Sequence, residues 1–206
     1  MPHLNLDKLK AAKVESSPYE YVIVPGFLSP ETVARVNATY PAIKAGGSYP
    51  IESLEPGMAI KEVIDELDGA AFQQVIADKF SVALDGRPKM FSLRGYTRAK
   101  DGQIHTDSKD KIITVLLYLN ENWQQPGGRL RILKNGHDVD SFVAEVPPDD
   151  GTLLVFKRSE ASWHGHHPFD GPRRSLQMNW MTNEGARGWH KIRHSITAAV
   201  KKLTVA

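Results

Sequence analysis

The chain has 206 residues, with 26 Lys and Arg against 24 Asp and Glu, and it contains no cysteine. That length suits a single domain with its own core. The near balance of charge argues against a dedicated nucleic-acid binder, which ordinarily carries a basic excess. Without cysteine there is no disulfide framework, thiolate metal site or thiol nucleophile, so a metal would have to be held by imidazole and carboxylate.

The first seventeen residues lack the apolar run of a signal peptide. The longest apolar stretches, such as residues 114–119, are far too short to span a membrane. The expectation is a cytoplasmic protein with no membrane segment. One domain is expected over 1–206, with a helical part to about residue 86, a barrel core over about 87–182 and a terminal helix over about 188–203.

Tyr19–Val24 is β-branched and aromatic and reads as a first strand. Ser29-Pro30-Glu31 then supplies an N-cap, a proline at the first helical position and an acid in the first turn, and Val33, Val36 and Tyr40 repeat at helical spacing. Helical stretches follow over Met58–Leu67 and Ala70–Leu84 and end at Gly86-Pro88. Six short strands come next: Phe91–Tyr96, Ile112–Leu119, Arg129–Leu133, Asp140–Val146, Thr152–Phe156 and Arg174–Trp180. Asn135-Gly136 predicts a type I′ hairpin between two of them, and residues 147–151 predict another turn. Ile192, Ile196 and Val200 are four apart, which predicts an amphipathic terminal helix. Helices packed against an antiparallel sandwich or barrel, an α+β class, is the architecture these elements support.

His105-Thr106-Asp107 carries the chemistry. Residues two apart on a strand project from one face, so His105 and Asp107 can meet one ion. A second histidine from a distant strand would complete a 2-His-1-carboxylate face, which leaves the other positions of Fe(II) open. His164, His166 and His167 are the candidates, with His166 on the same strand face as His164. Arg173 and Ser175 form an Arg-x-Ser pair on one strand face, and a guanidinium can grip a carboxylate through two parallel hydrogen bonds. Arg94 and Arg98 read as surface residues, with the substrate as their other candidate partner. His190 and His194 are four apart, but Lys191 and Arg193 beside them repel cations, so they read as a solvated helix face.

The ordered set Tyr96, Gly102, His105-Thr106-Asp107, Tyr118-Leu119-Asn120, Gly127-Gly128, Gly151-x-Leu153-x-x-Phe156, His164-x-x-x-Pro168 and Gly171-x-Arg173-Arg174-Ser175 resembles the 2-oxoglutarate- and Fe(II)-dependent oxygenase superfamily, in its prolyl 4-hydroxylase-like branch. The resemblance covers about residues 94–180. It implies a double-stranded β-helix (jelly-roll) barrel of mainly antiparallel strands, with packed N-terminal helices and a C-terminal helix. It implies Fe(II) held by His105, Asp107 and His164, because His164 precedes Pro168 by four residues and Arg173 by nine. His166 is the runner-up ligand.

It further implies 2-oxoglutarate held by Arg173 and Ser175, with the Tyr118 hydroxyl, and Tyr96 near its chelating end. Arg174 takes the place of Arg173 if a bulge shifts the register. O2 is the second co-substrate and ascorbate a supporting reductant. The implied reaction is hydroxylation with release of succinate and CO2, and the intact Asp107 favours hydroxylation over halogenation.

The substrate is a small molecule or a peptide. The branch suggests a peptidyl proline, whereas related enzymes oxidise free amino acids, other protein side chains and small metabolites. Nucleic-acid demethylases of the superfamily carry a second arginine six residues after the first, where this chain has Asn179, so nucleic acid is disfavoured. The competing class is a non-catalytic barrel that binds metal or a small ligand. Neither the substrate nor the oligomeric state is written in these residues.

Overall fold

Alternation along the strands decides what lies where. In the computed structural model, which describes residues 2–183 and Gly185, β1 (Tyr21–Val24), β2 (Tyr49–Pro50), β3 (Lys89–Thr97), β4 (Lys111–Tyr118), β7 (Leu153–Lys157) and β9 (Gly171–Met181) form one sheet in the order β1-β7-β4-β9-β3-β2. A second sheet of β5 (Leu130–Leu133), β6 (Phe142–Val146) and β8 (His164–Gly165) has the order β6-β5-β8. Every strand pairing is antiparallel. The two sheets face one another as the antiparallel sandwich that the strand count predicted, in the jelly-roll form that the resemblance implied.

On the larger sheet, Leu93, Ile113, Val115, Leu117, Leu153, Val155, Leu176, Met178 and Trp180 form one buried core with residues of the helices. The helices on that face are α1 (Leu6–Ala11), α2 (Pro30–Ala38), α3 (Met58–Asp68) and α4 (Ala70–Phe80). Ser29 caps α2 by accepting from the Thr32 N–H, with Pro30 at its first position, as the sequence predicted. Trp180 stacks on Phe72 of α4 with ring centroids 6.1 Å apart. At 20–33 cal/mol per Å² of apolar surface, each fully buried Leu, Val or Phe contributes about 1.5–3 kcal/mol, so this face anchors the sheet. The period of two turns the intervening residues inward, toward the second sheet.

Two expectations are corrected in detail. Asn135-Gly136 does not make a type I′ turn: neither residue has a positive φ, which that turn requires at both positions. The β5–β6 connection is instead an eight-residue loop over 134–141, in which the Asn135 side chain accepts from the N–H groups of His137 and Asp138. The helix expected over Ala70–Leu84 stops at Phe80, because Ser81 turns into the left-handed region at φ 47°. Helix α1 and the two-residue strands β2 and β8 carry too few residues to show a period. The expected helix over 188–203, with Trp189, His190 and His194, lies outside the described residues. None of the described helices is long and apolar enough to cross a membrane.

Candidate active site

His105 and His164 are brought together by the backbone. They form an isolated antiparallel bridge that extends the smaller sheet, each N–H donating to the other's carbonyl at 3.0 Å. Directly opposed residues of an antiparallel pair project from the same face, and here the ring centroids are 4.3 Å apart. Asp107, two residues beyond His105, joins them: ligand atoms of His105, Asp107 and His164 all lie within 4.8 Å of one another. His164 and Asp107 are buried, while His105 stands exposed at the mouth.

The ring nitrogens are assigned by their partners. His105 Nδ1 lies 2.8 Å from the Gln103 carbonyl and His164 Nδ1 lies 2.9 Å from the Ser162 carbonyl. A carbonyl only accepts, so each Nδ1 donates and each Nε2 keeps its lone pair. Burial pushes the His164 imidazole down to about 4, with Asp107 opposing the fall and His105 adding to it. Burial is the largest single influence and would raise the Asp107 carboxyl, but the Lys111 ammonium, His164 and the hydrogen bonds from Lys111 and Thr114 together outweigh it and hold it well below the usual carboxylate range. At pH 7 the cluster therefore offers the neutral His164 nitrogen and the anionic Asp107 oxygen beside the His105 imidazole, a donor set that fits a divalent ion of the Fe(II) type.

Both Asp107 oxygens are already oriented. Lys111 Nζ donates to Oδ1 at 2.8 Å, and Thr114 Oγ1 donates to Oδ2 at 2.5 Å. Asn179 Nδ2 in turn donates to Thr114 Oγ1 at 2.8 Å. Thr114 and Asn179 are cross-strand partners on β4 and β9, so the larger sheet reaches across to set the carboxylate of the smaller one.

A cavity of about 630 Å³ opens between the sheets at this cluster. Its inner wall carries Tyr118, Arg173 and Ser175. Tyr118 and Ser175 are direct cross-strand partners, and the Arg173 guanidinium carbon lies 5.1 Å from the Tyr118 ring centroid. Arg173 Nε donates to the Gly128 carbonyl at 2.7 Å, which fixes the fork. Gly128 itself sits at φ 77°, where a glycine is favoured. The Tyr118 hydroxyl, Arg173 Nη2 and Ser175 Oγ are buried without a hydrogen-bond partner. Three orphaned donors around one guanidinium are costly unless a carboxylate fills the space.

The β-bulge foreseen as a complication exists: the β3–β9 register shifts between Arg94 and Tyr96. Arg173 nonetheless faces the cavity. Arg174 points to the opposite side, where it donates to Asn37 Oδ1 at 2.9 Å and lies over the Tyr40 ring.

Tyr96 is not gathered in. The register shift carries it away from the cavity, and its hydroxyl donates to Asp170 at 2.5 Å instead. His166 lines the cavity beside Arg173 but stands outside the three-ligand cluster. Its ring occupies the space that a Cβ on Gly102 would need, 2.1 Å from His166 Cε1. Burial, with Arg173 adding to it, holds the His166 imidazole near 4. Arg98, read as a surface residue, pairs with Asp101 at 2.8 Å.

Arg94, also read as a surface residue, is instead part of the cavity wall, as are Lys111, Thr114 and Gln177. Their signal was present in the sequence. The inward positions of β9 read Arg173, Ser175, Gln177 and Asn179, polar throughout, between the outward Leu176, Met178 and Trp180. A strand with a polar inward face lines a site rather than a core.

Residues 91–182 match the family model of the 2OG-Fe(II) oxygenase superfamily. No curated protein sequence matches the chain. Among solved structures, a Pseudomonas putida prolyl-4-hydroxylase is 24% identical, with 85% of this chain and 96% of that one covered and a TM-score of 0.52. A viral collagen prolyl hydroxylase from Paramecium bursaria Chlorella virus-1, in its 2OG complex, is 16% identical over 79% of this chain and 96% of that one, TM-score 0.54. A prolyl hydroxylase from Trichoplax adhaerens, in complex with a hypoxia inducible factor oxygen degradation domain peptide fragment, is 17% identical over 90% of each chain, TM-score 0.54. At these identities the likeness establishes a shared fold.

Proposed function

Because residues 91–182 match the family model of the 2OG-Fe(II) oxygenase superfamily, we propose that His105, Asp107 and His164 hold the Fe(II) of a 2-oxoglutarate-dependent hydroxylase, and that Arg173, Ser175 and Tyr118 hold the distal carboxylate of its co-substrate. The observation that carries this reading is the pairing of two features in one cavity. The three-ligand cluster stands at the mouth, and three orphaned buried donors stand on the inner wall. When bound, the ferrous ion and 2-oxoglutarate supply the activation of O2 and the oxidation of a C–H bond, with succinate and CO2 as by-products.

The protein's own groups do the rest. The Gln103 and Ser162 carbonyls accept from the two Nδ1 groups, which fixes each ring and leaves Nε2 as the nitrogen free to meet a metal. Lys111 and Thr114 keep Asp107 ionised and fix the plane of its carboxylate. The Gly128 carbonyl locks Arg173 so that its free edge is presented without searching rotamers, which lowers the cost of binding a carboxylate. Leu116 and Leu130 supply apolar wall between these polar groups and help to exclude water. Wall and cluster belong to different sheets, so the sandwich itself sets their separation.

A substrate that is a small molecule or a peptide and a cytoplasmic setting suited to a ferrous centre belong to the same proposal. Anaerobic addition of Fe(II) and then 2-oxoglutarate should give a weak visible charge-transfer band. Admission of O2 should release succinate, and Asp107→Ala should lose both. Undiminished succinate release by Asp107→Ala would eliminate the proposed ligand set. A non-catalytic barrel would show binding with no succinate.

A further inference from the structure

Two cations that line the cavity, Lys100 and Arg94, have no role in the scheme above; Lys100 is exposed, whereas Arg94 is half-buried. Arg94 sits on β3 directly across from Ser175 of β9, whose other neighbour is Tyr118 of β4. Arg94, Ser175 and Tyr118 therefore form one inward row across three strands, and all three line the cavity.

Arg94 has no counter-ion among the described residues. Among the described residues no carboxylate lies within ion-pair distance of its guanidinium, and no hydrogen bond to it is formed. The two acids that line the cavity are committed elsewhere. Asp101 accepts from the backbone N–H, Nε and Nη2 of Arg98. Asp107 is held by Lys111 and Thr114. Arg94 is half-buried, with its guanidinium open to the cavity, so the charge is partly removed from water and is stabilised by an anion that enters there. Burial, together with repulsion from Arg173, accordingly weakens the hold of Arg94 on its proton.

The cavity's charge points the same way. Arg94, Lys100, Lys111 and Arg173 stand against Asp101 and Asp107. A divalent cation and a co-substrate dianion cancel each other, so loading the site leaves the cationic excess in place. The distal carboxylate of the co-substrate already has the Arg173, Ser175 and Tyr118 donors, which leaves the Arg94 fork for a second anion. A planar fork suits a carboxylate best. A cavity of about 630 Å³ falls in the range of small-molecule sites.

Resting on the oxygenase reading, we propose that Arg94 binds an acidic group of the molecule to be oxidised, and that the substrate is a free carboxylic acid of amino-acid size rather than an uncharged peptide segment. An acid seated on Arg94 lies on the cavity floor, and the rest of the molecule extends toward His105, Asp107 and His164.

The test uses the Fe(II)- and 2-oxoglutarate-loaded full chain, with the twenty free amino acids, their primary amides and an amidated proline-containing peptide as probes. Succinate release and oxygen gain by mass spectrometry are the readouts. At least one free acid should stimulate turnover, and its amide should do so at least tenfold less. Arg94→Gln should raise KM for that acid at least tenfold and KM for 2-oxoglutarate by a much smaller factor. Arg94→Lys, which keeps the charge, should recover part of the loss. Calorimetric titration of the same acid into the loaded protein under anaerobic conditions should show the same order.

Equal response to acid and amide, stimulation by the peptide alone, or an Arg94→Gln effect as large on 2-oxoglutarate as on the acid would each overturn the proposal. So would a protein that forms the charge-transfer band yet responds to no acid. Absence of the band and of any succinate would instead strike the oxygenase reading itself, and the proposal with it.

Discussion

Replacing Thr114 by Val tests whether the larger sheet sets the ligand geometry of the smaller one. The hydroxyl of Thr114 donates to the buried Asp107 carboxylate at 2.5 Å and accepts from Asn179 Nδ2 at 2.8 Å. Valine keeps the shape and removes both bonds. A hydrogen bond to a charged group is worth about 1.5–3 kcal/mol, and the stranded Asn179 amide, fully buried, costs a further ~1–3 kcal/mol. The added methyl returns roughly 0.8 kcal/mol. Thr114→Val should therefore destabilise the metal-free protein by about 2–5 kcal/mol, read by urea unfolding at pH 7, and lower Tm by roughly 4–20 °C. Losing an oriented ligand partner should also weaken Fe(II) or Co(II) binding about 10- to 100-fold. Thr114→Ser, which keeps the hydroxyl, should retain most of the affinity. A valine variant that binds metal within twofold of the parent and melts within a degree of it would refute the idea that Asp107 is held by the Asn179–Thr114 relay.

Further outcomes follow from the same geometry. His164 and His166 are each held near 4, below the ordinary value of 6.5, so between those pH values the unfolded chain binds more protons than the folded one. Stability of the metal-free protein should be fully present above about pH 6.5 and fall as pH drops toward 4, by on the order of 3 kcal/mol per ring. His166→Gln should reduce that fall, and urea midpoints that rise on acidification would contradict it. Gly102→Ala should be destabilising by about 1–3 kcal/mol from its φ of 82° alone, and should also displace the His166 ring, which its Cβ would overlap; a changed His166 ring resonance by NMR would report this. Arg173→Ala should raise KM for 2-oxoglutarate at least tenfold, whereas Arg174→Ala should leave that KM near the parent value and cost about 1 kcal/mol through its lost bond to Asn37. Similar KM changes in both would refute the assignment of faces.

Much of this molecule is local, and local features were legible in the chain. Ser29-Pro30-Glu31 starts a helix because its cap chemistry needs no distant residue. His105 and Asp107 share a face because strand geometry has a period of two. The separation of Arg173 from Arg174 onto opposite faces follows from the same rule, although the neighbouring register shift made it uncertain from sequence alone. Asn135-Gly136 misled because the Trp163 ring packs against Gly136 and the Asn135 side chain closes its own turn, so longer-range packing overrode a two-residue signal.

The sequence by itself determined the helical and strand-rich halves, the residue types able to hold a ferrous ion, and the pairing of an arginine with a serine on one strand face. Only the tertiary structure decided that His164 rather than His166 stands opposite His105, that Tyr96 lies away from the cavity, and that Arg94 enters it without a counter-ion among the described residues. The physical reason is that each of these depends on register between strands far apart in the chain. A one-residue change in pairing turns a side chain from the cavity to the opposite face of its sheet, and no local preference reports it.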